Sequence, residues 1–305
     1  MGVGRDSLGA GLMAIRIVTD STADLSPAVI ADHRISVVPL TIEFGGASYR
    51  DRVDLPPDQF LKALPELSEP PKTAAPSPGA FREVYARLFS EGAEGIISIH
   101  LAGALSATVQ SAQAAARMVD GPVAVVDGES ASLGTGLLVW WAALRAQTGL
   151  ALESLHEEVE ALKSGLFALT APLTLEYLAR GGRIGQAARL VGTILDLKPL
   201  LLLERGSFRP ERKVRGERQI APAMLATLRQ RVVLGSPILA ALAYSERLEK
   251  HKDLIDAVRA NYQVLGWLDG ILGPVISAHV GPGAFGLIVL PLDESMAKRF
   301  GEVAG

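Results

Sequence analysis

Cysteine is absent from all 305 residues, which excludes disulfide staples, thiolate metal centres and cysteine nucleophiles. Aromatic residues are scarce, 5% of the chain against 49% hydrophobic overall, so any core must be built mainly from aliphatic side chains. An excess of one charge is also missing. The 30 Lys and Arg stand against 33 Asp and Glu, a net of -3, leaving no basic field to hold a phosphate backbone or an anionic membrane. Nucleic acid is therefore not an expected partner. No run of about 18 apolar residues occurs, so no integral membrane segment is expected. The start lacks the charged and then apolar regions of a secretory signal, which makes a cytoplasmic protein the expectation. Residues 1–14 read as an N-terminal extension, with Met13 a candidate natural start.

A chain of this length exceeds the size at which one core stops growing, so two domains are expected. In the first, over 15–163, short aliphatic runs at 15–19, 35–42, 95–99 and 123–126 alternate with helix-period segments. That alternation predicts an α/β unit with an open, largely parallel sheet and flanking helices. Ser77-Pro78 followed by Phe81, Val84, Tyr85 and Leu88 predicts a helix with a serine cap and proline in its first turn. Further helices are expected over about 106–119 and 131–146. Leu152, Leu155, Val159 and Leu162 form one apolar stripe, a connecting amphipathic helix near the domain boundary. In the second domain, over 164–305, strands are expected at 166–170, 197–203, 208–214, 238–244, 275–280 and 287–290. Helices are placed around Leu175, Leu190, Met224 and Leu254. The short turn at Arg205-Gly206 implies antiparallel pairing, so this half should be a mixed or antiparallel α/β domain.

Phosphate-binding P-loops, H-E-x-x-H and G-x-S-x-G are all missing. One G-x-G-x-x-G occurs as Gly281, Gly283 and Gly286, but it leads into an aliphatic strand rather than a helix, which rules out the dinucleotide reading. Four polar clusters remain. Asp20-Ser21-Thr22 follows the opening strand and could orient a ligand or close a turn. The loop 72–77 carries Thr73 into a helix start, where an anion or a plain cap would fit. Ser106 follows a glycine-containing loop at another helix start, with the same two readings. The Gly181-Gly182 pair reads as an ordinary helix C-cap, and the Arg183 that follows offers a planar fork for carboxylate or phosphate. His279, just before the permissive Gly281 and Gly283, is read as ending a strand with its imidazole facing a cleft or serving a structural bond.

In sequence these clusters resemble the DegV family, which includes the fatty acid-binding subunit of bacterial fatty acid kinase. The resemblance runs from about Ile15 to the C-terminus through Thr-Asp-Ser-Thr-Ala-Asp-Leu at 19–25, Val-Pro-Leu at 38–40, residues 51–54, the Thr73 loop, Leu105-Ser106, Tyr177-Leu178 with Gly181-Gly182-Arg183-Ile184, Lys198-Pro199, Lys213-Val214-Arg215 and 279–283. It implies a lipid held between two α/β domains, with Thr73, Ser106 and His279 on its carboxylate and the tail in an apolar tunnel. Arg183 and Arg215 would lie near the headgroup or on a surface docked by an ATP-binding kinase subunit, with Asp20, Ser21, Gly281 and Gly283 in supporting loops. A long-chain fatty acid and that kinase subunit are the implied partners; no cofactor, metal or catalytic residue is implied. The family's Thr-Ser-Gln-Pro is here Thr73-Ala74-Ala75-Pro76, and its Leu-Ser-Gly-Thr is Leu105-Ser106-Ala107-Thr108. Two rivals remain: a serine hydrolase using Ser106 and His279, which lacks a nucleophile elbow and an orienting carboxylate, and a lipid-sensing regulator without a kinase partner.

Overall fold

The computed structural model describes residues 15–190 and 197–303; the extension expected over 1–14 lies outside the described residues. Thirteen strands are found among the described residues: β1 (Ile15–Asp20), β2 (Ser36–Val38), β3 (Thr41–Phe44), β4 (Ala47–Arg50), β5 (Lys72–Ala74), β6 (Gly95–His100), β7 (Val123–Asp127), β8 (Phe167–Ala171), β9 (Leu197–Glu204), β10 (Ser207–Arg215), β11 (Pro237–Tyr244), β12 (Gln263–Ile271) and β13 (Phe285–Pro291). They form three sheets. The first is parallel throughout, in the order β2-β1-β6-β7. A small antiparallel sheet, β4-β3-β5, here called the flap, begins directly after β2. The third is mixed, in the order β10-β9-β8-β13-β11-β12, with only β11 and β12 parallel. The chain is thus an α/β protein with one parallel and one mixed sheet.

Between the two large sheets lies the helix Leu133–Ala146, buried at nearly every position. A helix apolar on all sides needs neighbours on all sides. Here Ile17 and Ile97 from the parallel sheet and Ala241 and Ile288 from the mixed sheet share one core with it. The expected amphipathic helix is observed as Leu152–Lys163, burying Leu152, Leu155, Val159 and Leu162. The helix Pro78–Ser90 is capped as its sequence predicts, with Ser77 Oγ accepting from the Ala80 N–H at 3.2 Å. The turn Arg205-Gly206 joins β9 and β10 as an antiparallel pair.

Two expectations are corrected. Residues 275–280 are not a strand but belong to the helix Pro274–Val280. Its β-branched residues suggested a strand, yet Pro274 fits a helical first turn and Val275 and Ala278 face one core while Ile276 and Val280 face another, a helical spacing. The strand expected over 35–42 is interrupted into β2 and β3 around Pro39, which has no N–H to offer a ladder. The edge strand β12 was not anticipated, because Gly266, Asp269 and Gly270 break its apolar run.

Candidate functional site

A cavity of about 180 Å³ opens where the flap, the parallel sheet's β6 loop and the helix Pro274–Val280 meet. Thr73 from β5, Ser106 from the loop after β6, Arg183 and His279 all line it. Most of the other walls are aliphatic, including Leu40, Leu101, Leu105, Leu178, Val275 and Ile276. Four residues spread over some 200 positions are therefore brought to one mouth. Open α/β sheets put ligand sites beyond the carboxyl ends of their strands, and the loop carrying Ser106 leaves β6 at that end.

His279 Nε2 lies 3.0 Å from Thr73 Oγ1. Its Nδ1 is buried without a hydrogen-bond partner among the described residues. Burial, followed by the nearby positive charge of Arg183, pushes its pKa down to about 4, so the ring is neutral at neutral pH. If Nε2–H donates to Thr73 Oγ1, the threonine O–H is left to donate into the cavity. Ser106 is supported in the same way: its Oγ stands 2.9 Å from Thr108 Oγ1, and Thr108 is fully buried. Ser106 pairs with Thr108 and His279 with Thr73, so the Ser106–His279 dyad a hydrolase needs is not formed.

Arg183 is a strut. Its Nε donates to the Leu105 carbonyl at 3.0 Å and its Nη1 to the Gly181 carbonyl at 2.7 Å, tying the serine loop to the glycine pair. That pair ends the helix Glu176–Arg180, with Gly182 at φ +68, as the sequence suggested. Gly181 has a second reason to lack a side chain: a Cβ there would stand 2.2 Å from His279 Nδ1. Gly281 and Gly283, at φ +80 and +75, turn the chain from the histidine helix into β13, and a Cβ on Gly281 would strike the Tyr177 ring at 2.4 Å.

Asp20 and Ser21 do not line the cavity; both are buried behind it. Asp20 Oδ2 accepts from the Leu101 N–H at 3.2 Å and meets His100 Nδ1 at 2.9 Å. His100 Nε2 continues to Ser98 Oγ at 2.7 Å, which accepts from the Tyr85 hydroxyl at 2.7 Å. This Asp–His–Ser array is wholly buried and fixes the root of the loop that carries Ser106. Ser21 Oγ accepts from the Leu40 N–H at 3.0 Å, anchoring the flap. Arg215 is exposed at the end of β10 and is not part of the cavity lining.

Sequence reasoning gave no role of their own to Thr108 or to the pair Asp24 and Asp51. Asp24 accepts from Arg52, from Ser132 Oγ at 2.6 Å and from the Gly273 N–H at 2.9 Å. Asp51 accepts from the Val275 N–H at 3.3 Å. These two carboxylates hold the start of the histidine helix against the flap. Burial raises them to about 6 and about 7 respectively. Thr108 could have been found from its place two residues after Ser106; nothing local marks the aspartates as partners of residues 273–275.

The sequence model described as "Uncharacterised protein, DegV family" matches residues 14–292. A DegV domain-containing protein of Streptomyces coelicolor is 36% identical over 276 residues, covering 90% of this chain and 98% of that one. A DegV family protein from Thermus thermophilus, whose solved structure is described for fatty acid binding, superposes with a TM-score of 0.86 at 37% identity, covering 91% of this chain and 99% of that one. A DegV lipid binding protein from Thermotoga maritima does so with a TM-score of 0.84 at 28% identity, over 92% and 99% of the two chains.

Proposed function

This chain belongs to the DegV family, and from that premise we propose that it holds one long-chain fatty acid between its two large sheets and presents the carboxylate to an ATP-dependent kinase subunit. The observation that carries the reading is the division of one channel into a polar mouth and an oily remainder. Thr73, Ser106, His279 and Arg183 are gathered at the mouth, and aliphatic walls lead inward from it. A second, almost wholly apolar chamber lies beyond, sharing Ala131, Phe208, Ile276 and Val280 with the first.

A buried carboxylate is costly unless donors replace its water. The hydroxyls of Thr73 and Ser106 supply two such donors, each backed by a partner that can leave its proton pointing at the ligand. Arg183 adds a positive charge without filling the mouth. Each buried tail CH₂ contributes about 0.8 kcal/mol, so the tail dominates affinity and the head sets register. The carboxylate oxygen, exposed at the mouth, would attack the γ-phosphorus of ATP held by the partner; ADP leaves and an acyl phosphate remains on this chain.

Mass spectrometry of ligand extracted from the purified protein tests the lipid half: a long-chain fatty acid is expected, and its absence even after incubation with the free acid would reject the reading. Ser106→Ala and His279→Ala are expected to lower partner-dependent phosphorylation of bound lipid much more than they lower lipid retention. Native mass spectrometry alongside a kinase-coupled assay separates the two, and equal losses would count against this division of labour. Failure to co-purify with any ATP-binding protein would leave a lipid carrier without a kinase role.

A further inference from the structure

Inside the mouth the channel changes size. The outer chamber measures about 180 Å³ and the inner one about 40 Å³. One water needs about 10–15 Å³ of such space, so the inner chamber accepts no more than a few non-hydrogen atoms. The four residues common to both chambers form the neck between them. Ala131 comes from the approach to the central helix, Phe208 from β10, and Ile276 and Val280 from successive turns of the histidine helix. Phe208 supplies the only aromatic ring of these four, is 6% exposed, and pairs across the sheet with Leu203, a wall of the inner chamber.

The floor beyond the neck is made shallow by register. Thr170, Gly286 and Ala243 are pairing partners on three neighbouring strands, β8, β13 and β11, and all three line the inner chamber. Alternation sends their neighbours Leu169, Leu287 and Leu242 to the opposite core. Gly286 has no positive φ, and a Cβ there would meet Thr170 Oγ1 at an ordinary 3.5 Å. The backbone therefore tolerates a side chain at this position; its absence keeps space open.

We propose that the neck around Phe208 selects acyl chains by the width of their methyl end, admitting an unbranched end and rejecting an iso-branched one of equal carbon number. This rests on the fatty acid reading above and adds its specificity determinant. A straight chain passes the ring one carbon at a time. An iso end carries two methyls at one level, and a packed wall accommodates the second only by moving side chains off their rotamers.

The test is competition for delipidated full-length protein between hexadecanoic acid and its iso-branched isomer, read by mass spectrometry of the extracted ligand. The straight isomer is expected to be enriched about tenfold or more, the discrimination one misplaced methyl group supports in an apolar pocket. Phe208→Leu should bring the two isomers close to parity. Ile276→Ala widens the same neck from the opposite wall and should do the same if the first variant folds poorly. Gly286→Val, which fills the floor and leaves the neck intact, should preserve the preference while reducing retention of both. Equal binding of the isomers by the unaltered protein, or a preference that both neck variants leave unchanged, overturns the proposal. Binding of neither isomer overturns the fatty acid reading itself, and the neck with it.

Discussion

Gly181 and His279 occupy one piece of space. A methyl group on residue 181 would stand 2.2 Å from the imidazole Nδ1, closer than any non-bonded contact, so Gly181→Ala must push the ring away from Thr73. The expected result is loss of the 3.0 Å Thr73–His279 contact with the fold retained. Since one hydrogen bond contributes about 0.5–1.5 kcal/mol, fatty acid retention should fall by no more than about tenfold, and by less than partner-dependent phosphorylation does. Imidazole nitrogen shifts and a lipid-binding titration on the same sample check both parts; an unmoved ring would show that the helix Glu176–Arg180 gives way instead. At this scale the glycine pair and Arg183 were legible in the sequence as a helix end and a forked donor. That the arginine spends two of its donors on the Leu105 and Gly181 carbonyls was not, since those acceptors are set by the chain's return path.

Two helices illustrate how an element is held by near or by distant residues. Pro78–Ser90 carries its own cap, Ser77, and its own apolar face of Phe81, Tyr85 and Leu88. Ser77→Ala should cost about 1 kcal/mol of stability, seen as a lower urea midpoint with lipid binding nearly intact. Pro274–Val280 has only seven residues and no side-chain cap. Its first N–H groups are met by Asp24 and Asp51, more than 220 positions away. Asp51→Ala should therefore disturb the orientation of His279 and weaken partner-dependent phosphorylation of bound lipid, an effect Ser77→Ala lacks; comparable phosphorylation with the two variants would refute the link. The contrast explains which helix was read correctly. Ser-Pro at a helix start is a local signal, whereas Val275, Ile276 and Val280 look strand-like until carboxylates from elsewhere cap them.

Across the whole molecule the buried groups answer acid in opposite directions. His279, lowered to about 4 from 6.5 by burial and Arg183, takes up its proton in the unfolded chain first, so its contribution to stability is lost as pH falls from about 6.5 toward 4. Asp24 and Asp51, raised by burial to about 6 and about 7 from 3.8, hold protons that the unfolded chain releases; their contribution is fully present below about 4 and is lost as pH rises through 6 to 7. The opposed slopes flatten the profile. Removing the histidine as His279→Gln should relieve an acid-linked loss of about 2 kcal/mol between pH 7 and pH 5, measured as a change in the pH dependence of the urea midpoint; an unaltered slope would mean the ring is not held neutral. Local chemistry determined much of this protein from the sequence alone: the parallel and mixed sheets arise from apolar periodicity and the capped helix from Ser77-Pro78, while the polar clusters stood out by residue type and drew a ligand role only from the family resemblance. Only the tertiary structure decided that Thr73, Ser106, Arg183 and His279 share one mouth, that Asp24 and Asp51 stand behind it, and that Phe208 lines both chambers beyond it. Those relations depend on how three sheets and a buried helix pack in space, and separation along the chain carries no measure of that distance.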